Sequence, residues 1–162
     1  MTEKDYNDCV SKYSDDVYRF VVYSGMDRDS AKDIVQDAFI SLWQKHSDID
    51  VAKTKSYLFS TAYNMVNSNF RHVKVVKQYE ENVFKETVAS MDESFESKDC
   101  LYKALDNIPS IQKSALVLKD IEGYSYKEIS AMLNLSIQQV EVYIFRARVA
   151  LKKELLKNEL IK

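Results

Sequence analysis

The sequence predicts an all-α protein of two small helical bundles joined by a linker, the C-terminal bundle carrying a helix-turn-helix. Three observations predict it. Backbone breakers are scarce: in 162 residues, glycine stands only at Gly25 and Gly123 and proline only at Pro109. That suits helices and argues against a many-turned β fold. Apolar residues recur at helical spacing through most of the chain and nowhere alternate in the two-residue rhythm of a strand. Between residues 74 and 98 the spacing lapses, and Glu80, Glu81, Glu86, Asp92 and Glu93 take over. Such a stretch forms a tether, helical in part at most, more readily than a core.

The elements follow in order. Tyr6, Cys9, Val10, Tyr13, Val17, Phe20 and Val21 make one helical stripe, which stops near Gly25. Ala31, Ile34, Val35, Ala38, Phe39, Leu42 and Trp43 make a second, with Asp27 or Asp29 as N-cap. A polar loop over residues 46–54 precedes a third helix, whose face is Leu58, Thr61, Ala62, Met65 and Val66 and whose end falls near Arg71. These three helices form a first unit, residues 1–73, and the linker spans 74–98. In a second unit, residues 99–162, Leu101, Ala104 and Leu105 precede Pro109, and a short helix over 111–119 ends at Gly123. Ser125 with Glu128, and Ser136 with Gln139, have the spacing of capping boxes and open the last two helices. Asn134-Leu135 joins those helices as a helix-turn-helix.

Composition narrows the function. The net charge is −2, yet residues 99–162 hold 10 basic against 8 acidic side chains, with Arg146, Arg148, Lys152, Lys153 and Lys157 on the last helix. A weakly acidic chain with a basic end can touch DNA without binding it tightly alone. The absence of a charged-then-apolar leader, and of any apolar run near the roughly 20 residues of a membrane span, points to the cytoplasm. Cys9 and Cys100 stand apart, with the spacing of neither a disulfide framework nor a metal site, and read as reduced thiols.

On the last helix Ile137, Val140, Ile144, Ala147, Leu151 and Leu155 share one face. The other face presents Gln138, Gln139, Val142, Phe145, Arg146, Val149 and Lys153. A recognition helix reads base edges from its first turns and reaches phosphates with flanking cations. Gln138 or Gln139 suits adenine, Arg146 suits guanine or phosphate, and Val142 or Phe145 suits a thymine methyl. A merely solvated hairpin would not set two apolar side chains outward beside arginines.

Three stretches now carry a resemblance. Residues 105–109 (LDNIP), 121–129 (IEGYSYKEI) and 144–148 (IFRAR) resemble region 4 of sigma factors of the extracytoplasmic-function group. Residues 33–39 (DIVQDAF) with Leu42-Trp43 look like region 2.2, and Tyr57-Leu58-Phe59 with Ala62-Tyr63-Asn64 looks like region 2.3. Both signatures stand in the right order and leave out only the linker and the termini. The resemblance implies an alternative sigma factor with two kinds of partner, core RNA polymerase and promoter DNA. Region 2 would dock on the β′ clamp helices and help melt the minus-ten element. Region 4 would bind the β flap and read the minus-thirty-five element. An anti-sigma factor joins the expected partners, since members of this group are often held by one. No cofactor, metal or small-molecule substrate is implied, and the chemistry of RNA synthesis belongs to the polymerase.

The residues fit these roles. Asp33, Gln36, Asp37, Ile40 and Gln44 form a polar stripe with one apolar centre on the second helix, suited to a helical polymerase partner. On the third helix Ser60, Tyr63, Asn64, Asn67, Phe70 and Arg71, with Ser56 and with Tyr57 at its start, offer rings and amides to unpaired minus-ten bases. The loop over 46–54 would approach a flipped base. For the minus-thirty-five element the expected residues are Gln138, Gln139, Val142, Phe145, Arg146, Arg148 and Lys153. The chain departs from the family at several points. Tyr57 stands where tryptophan is common, Glu141 and Tyr143 where basic residues are common, and Val142 where serine is. Fewer cations weaken phosphate attraction and its salt dependence.

Two other readings compete with this one. A stand-alone helix-turn-helix regulator accounts for residues 99–162 but gives the first three helices no role. An enzyme finds little support: His46 and His72 are the only histidines, without H-E-x-x-H or paired metal spacing, and there is no nucleophile elbow or phosphate loop.

Overall fold

Several helices in this chain begin where a short polar side chain satisfies backbone N–H groups that a first turn leaves open. The computed structural model of the chain describes residues 1–77 and 96–160. Helix α1 (Glu3–Tyr23) opens with a capping box that the stripe beginning at Tyr6 does not announce: the Asp5 N–H donates to Thr2 Oγ1 (3.1 Å) and the Thr2 N–H to Asp5 Oδ2 (3.0 Å). Asp27 caps α2 (Arg28–Gln44) through the Ser30 N–H at 3.1 Å, which settles the choice between Asp27 and Asp29. The loop after α2 contains a single 3₁₀ turn, Val51–Lys53, before α3 (Thr54–Lys77).

Helix α3 continues past Arg71 to Lys77, and α4 (Glu96–Asp106) opens before residue 99. Both therefore enter the stretch expected as linker; the rest of it, 78–95, lies outside the described residues. Helix α5 (Ser110–Leu116) passes into a π-type turn over Val117–Ile121. The expected capping boxes of α6 (Tyr126–Leu133) and α7 (Ile137–Leu160) are present, at Ser125/Glu128 and Ser136/Gln139. Between them Asn134 takes the left-handed conformation (φ 54°), which an asparagine side chain tolerates and which turns the chain sharply into the helix-turn-helix. No strand occurs among the described residues.

The core of the first three helices is Val17, Phe20, Val21, Ile34, Ala38, Leu42, Leu58, Phe59, Ala62 and Val66, all buried. Val117, Leu118, Ile129, Met132, Val140 and Ile144 fill the second unit. A satellite of Leu105, Ile108, Leu116 and Ala147 pins α4 to α5 and α7. The first two sets are continuous. Phe59 of α3 joins them: its ring meets Phe20 at 5.6 Å and Tyr124, just before α6, at 5.3 Å, both edge to face. Trp43 and Ile137 depart from the expected core stripes and stand largely exposed. Trp43 lies at the bundle edge, stacked on His46 at 4.2 Å.

The junction of the two units also buries charge. Lys113 is only 6% exposed, and burial pushes its ammonium pKa down; burial likewise raises that of Asp106, while attraction between the two opposes both shifts. Gly25 ends α1 with φ +106°, and a Cβ there would stand 3.1 Å from the Phe70 ring. Gly25→Ala is therefore expected to lower unfolding free energy by about 1–3 kcal/mol, the range for a side chain held in such a conformation. Urea denaturation measures this, and an unchanged midpoint would refute the backbone assignment.

Candidate nucleic-acid and polymerase surfaces

Helix α2 buries Ala31, Ile34, Ala38, Phe39 and Leu42 against its neighbours. A helix so packed must turn its intervening positions to solvent. Asp33, Gln36, Asp37, Ile40 and Gln44 are all exposed, Ile40 at 47%, so the five share one open stripe with an apolar centre. Beside it, between α1 and α2, runs an open groove of about 590 Å³ lined in part by Tyr6, Val10, Tyr18, Val35, Gln36 and Ile40. A helical partner could lie along it with side chains on both sides. Trp43, counted as core from sequence, extends the apolar part of this surface; its place one turn beyond Ile40 was the available signal.

The third helix divides the residues expected to meet unpaired bases. Asn64 and Arg71 are exposed and Ser60 is half-buried. Tyr57 lies toward α2 instead, its hydroxyl 2.6 Å from that of Ser41 and its ring beneath Lys45 Nζ at 5.9 Å. Tyr63 is half-buried against the shared core. Asn67 Oδ1 accepts a hydrogen bond from the Ser110 hydroxyl (2.8 Å), and Phe70 lies between Gly25 and Lys113, whose ammonium is 5.8 Å from the ring centre. Asn67 and Phe70 therefore touch the second unit, Phe70 while staying 36% exposed, so the expected surface is partly occupied. Sequence periodicity placed them opposite the core stripe but could not show that a second protein surface occupies that side.

On α7 Val140, Ile144 and Ala147 are buried, while Gln138, Val142, Phe145, Arg146 and Lys153 are exposed. Phe145 is 67% exposed, an unusual position for a phenylalanine without a partner. Two residues are engaged within the chain. Gln139 Oε1 accepts from the Ser136 N–H (2.9 Å) as part of the cap, so Gln138 is the uncommitted amide. Arg148 makes a two-pronged contact with Asp120 (3.0 and 2.7 Å), and hydrogen bonding to that carboxylate raises its already high pKa. Arg146 forms no ion pair with a described residue, so its full charge is available. Helix α6 shares its core with α7 through Met132, Leu133, Val140 and Ile144, and after the tight turn at Asn134 the first residues of α7, 137–139, are exposed, as a reading helix requires.

Burial raises the pKa of the Cys9 thiol and keeps it protonated. No helix among the described residues is long and apolar enough to cross a membrane.

Comparison with known proteins bears on the family and the fold. The model for sigma-70 region 2 matches residues 9–74, and that for sigma-70 region 4 matches residues 98–151. The extracytoplasmic-function RNA polymerase sigma factor SigM of Bacillus subtilis is 29% identical over 144 residues, covering 86% of this chain and 88% of SigM. SigX of the same organism is 24% identical, covering 92% of this chain and 84% of SigX. Among solved structures, the sigma factor RpoE of Bartonella quintana, crystallised with the anti-sigma factor NepR, superposes with a TM-score of 0.76 at 28% identity, covering 95% of this chain and 98% of that one. CnrH, in complex with the cytosolic domain of CnrY, shares the fold with a TM-score of 0.72 at 22% identity, covering 95% of this chain and 89% of that one.

If Phe145 projects outward with no stabilising contact, Phe145→Ala should change unfolding free energy by no more than about 0.5 kcal/mol. A loss of several kcal/mol in thermal or chemical denaturation would instead place the ring in a core.

Proposed function

This chain belongs to the sigma-70 family, in its extracytoplasmic-function group, and on that premise we propose how its surfaces divide the work of initiating transcription. It is an alternative sigma factor that binds core RNA polymerase and directs promoter recognition. The observation that carries this is the occurrence of regions 2 and 4, in that order, over residues 9–74 and 98–151. A stand-alone regulator would have no need of the first.

The unit over residues 1–73 takes the polymerase and the minus-ten element, residues 99–162 take the β flap and the minus-thirty-five element, and 74–98 connect them. Docking on the β′ clamp helices uses Asp33, Gln36, Asp37, Ile40 and Gln44, supported by the exposure of all five and by the groove beside Gln36 and Ile40. Charge-assisted bonds around a small apolar centre give such a contact orientation as well as strength. Unpaired minus-ten bases meet Ser60, Tyr63, Asn64, Asn67, Phe70 and Arg71, with Tyr57 as a neighbouring ring. Stacking contributes about 1–3 kcal/mol per base, enough to hold an opened strand but not to open it unaided. Upstream, Gln138, Val142, Phe145, Arg146 and Lys153 read the major groove from α7. Gln139 and Arg148 contribute through cap and strut, the first by shaping the helix start, the second by fixing α7 on Asp120. Glu141 is exposed on the same helix, so phosphate attraction is weaker there and the polymerase must supply more of the affinity.

The chain itself carries no catalysis in this reading and acts in the cytoplasm, where its polymerase is. An anti-sigma factor is a fitting further partner, given that the Bartonella sigma factor was captured with one.

Run-off transcription with core polymerase over a promoter library tests the assignment; failure to direct initiation at any start site would overturn it. On a promoter so identified, Arg146→Ala should weaken minus-thirty-five recognition by about 1–3 kcal/mol, as for loss of a specific base contact. Unaltered selectivity would remove that role. Asp37→Arg should reduce affinity for core polymerase at unchanged helical content, and wild-type binding by this variant would eliminate the docking stripe.

A further inference from the structure

We propose that Glu141 on α7 determines promoter specificity: its carboxylate accepts a hydrogen bond from the exocyclic amino group of a cytosine in the minus-thirty-five element. The inference rests on the assignment of α7 as the reading helix above and names one base that it reads.

Glu141 stands apart from the other carboxylates of its unit. Asp120, Glu122, Glu128 and Glu154 each hold a cation, on Arg148, Arg19, Lys55 and Lys157 respectively. The Glu141 side chain is exposed and makes no hydrogen bond or ion pair with a described residue. Its own helix offers it none: the positions three and four residues away are Ile137, Gln138, Ile144 and Phe145, and no cation is among them. The fold leaves this charge uncompensated.

Its place gives the charge a use. Glu141 begins the second turn of α7, three residues after Gln138, about 4.5 Å further along the axis and about 60° round it. Base pairs stack at about 3.4 Å, so the two side chains address neighbouring pairs. Val142 and Phe145, both exposed, lie on the same side of the helix. A helix that sets Gln138, Val142 and Phe145 against base edges carries the carboxylate into the groove with them.

What Glu141 can meet there is restricted. An ionised carboxylate only accepts hydrogen bonds. In the major groove guanine and thymine show acceptors and a methyl group, and the donors are the amino groups of cytosine and adenine. Adenine sets its N7 acceptor beside the amino group, against the second carboxylate oxygen, whereas cytosine has no acceptor on its own edge. Phosphates repel it outright. Glu141 therefore costs affinity at every base except cytosine, and the cost discriminates as much as the bond gained.

Selection from duplexes randomised over the minus-thirty-five element, by the chain bound to core polymerase, tests this. The wild-type chain should retain cytosine at one position and lose about tenfold in affinity with any other base there. Glu141→Gln should exchange that preference for adenine, to which an amide offers both donor and acceptor. Glu141→Ala should bind every sequence more tightly, since a charge that repels phosphates is gone, and lose base preference at that position alone. Replacing the selected cytosine by 2-pyrimidinone, which lacks the amino group, should cost the wild-type chain the same tenfold and the alanine variant nothing. A wild-type chain that selects no cytosine, or selects adenine in its place, overturns the proposal. So does an alanine variant that gains affinity uniformly and keeps every base preference, because the carboxylate then only repels the backbone. A holoenzyme that initiates from the library without these shifts refutes the glutamate contact and leaves the sigma assignment standing. If no duplex supports initiation, that assignment fails, and selection by the full chain without polymerase still reports the base preference of Glu141. Enrichment of no duplex in either format counts against both.

Discussion

One side chain organises the described structure: Phe59 on α3, fully buried, with Phe20 on one side and Tyr124 on the other. Each edge-to-face contact contributes about 0.5–1.5 kcal/mol beyond the burial of the rings. Their position matters more than their sum. By joining the first core to the segment between α5 and α6, Phe59 fixes where that segment lies. Glu122 then meets Arg19 and Glu128 meets Lys55, because both carboxylates are carried within a few residues of Tyr124. Polar contacts of this kind give orientation more than strength, since Arg19 and Glu128 keep much of their side chains in water.

That arrangement sorts the surfaces of a promoter-recognition factor by accessibility. The α2 stripe, with Ile40 and the nearby Trp43 as apolar centre, faces solvent without obstruction. So do Phe145 and Arg146 on α7. On the far side of α3 access is mixed: Asn67 is bonded to Ser110 of the second unit and Tyr63 is half-buried, while Phe70 remains exposed beside Lys113.

Local features were readable residue by residue. The capping boxes at Ser125/Glu128 and Ser136/Gln139 and the stop at Gly25 depend on neighbours within a few positions, and the chain has them where its sequence placed them; Asp27 is one of the two caps the sequence offered for α2. Helix faces were readable where one side is plainly apolar, as with Val140, Ile144 and Ala147. The misreadings lie at margins. Trp43 and Ile137 fit the helical period of a core stripe yet fall at its ends, where the bundle no longer covers them. Thr2 and Asp5 cap α1 ahead of any apolar signal. The ion pair of Arg148 with Asp120 joins residues 28 positions apart that no local pattern connects.

The sequence by itself determined the helices, their starts and stops, the helix-turn-helix and, through two ordered signatures, the family. Helical period and capping are set by interactions within a turn or two, so they are written in short stretches of chain. Only the tertiary structure decided which helical face meets which: that Phe59 reaches Tyr124, that Glu122 lies under Arg19, and that Asn67 on α3 bonds to Ser110. Period reveals that a side chain points away from its own core. It carries no information about a second surface brought there from 50 or 100 residues distant, because that contact is chosen by shape and charge between whole units.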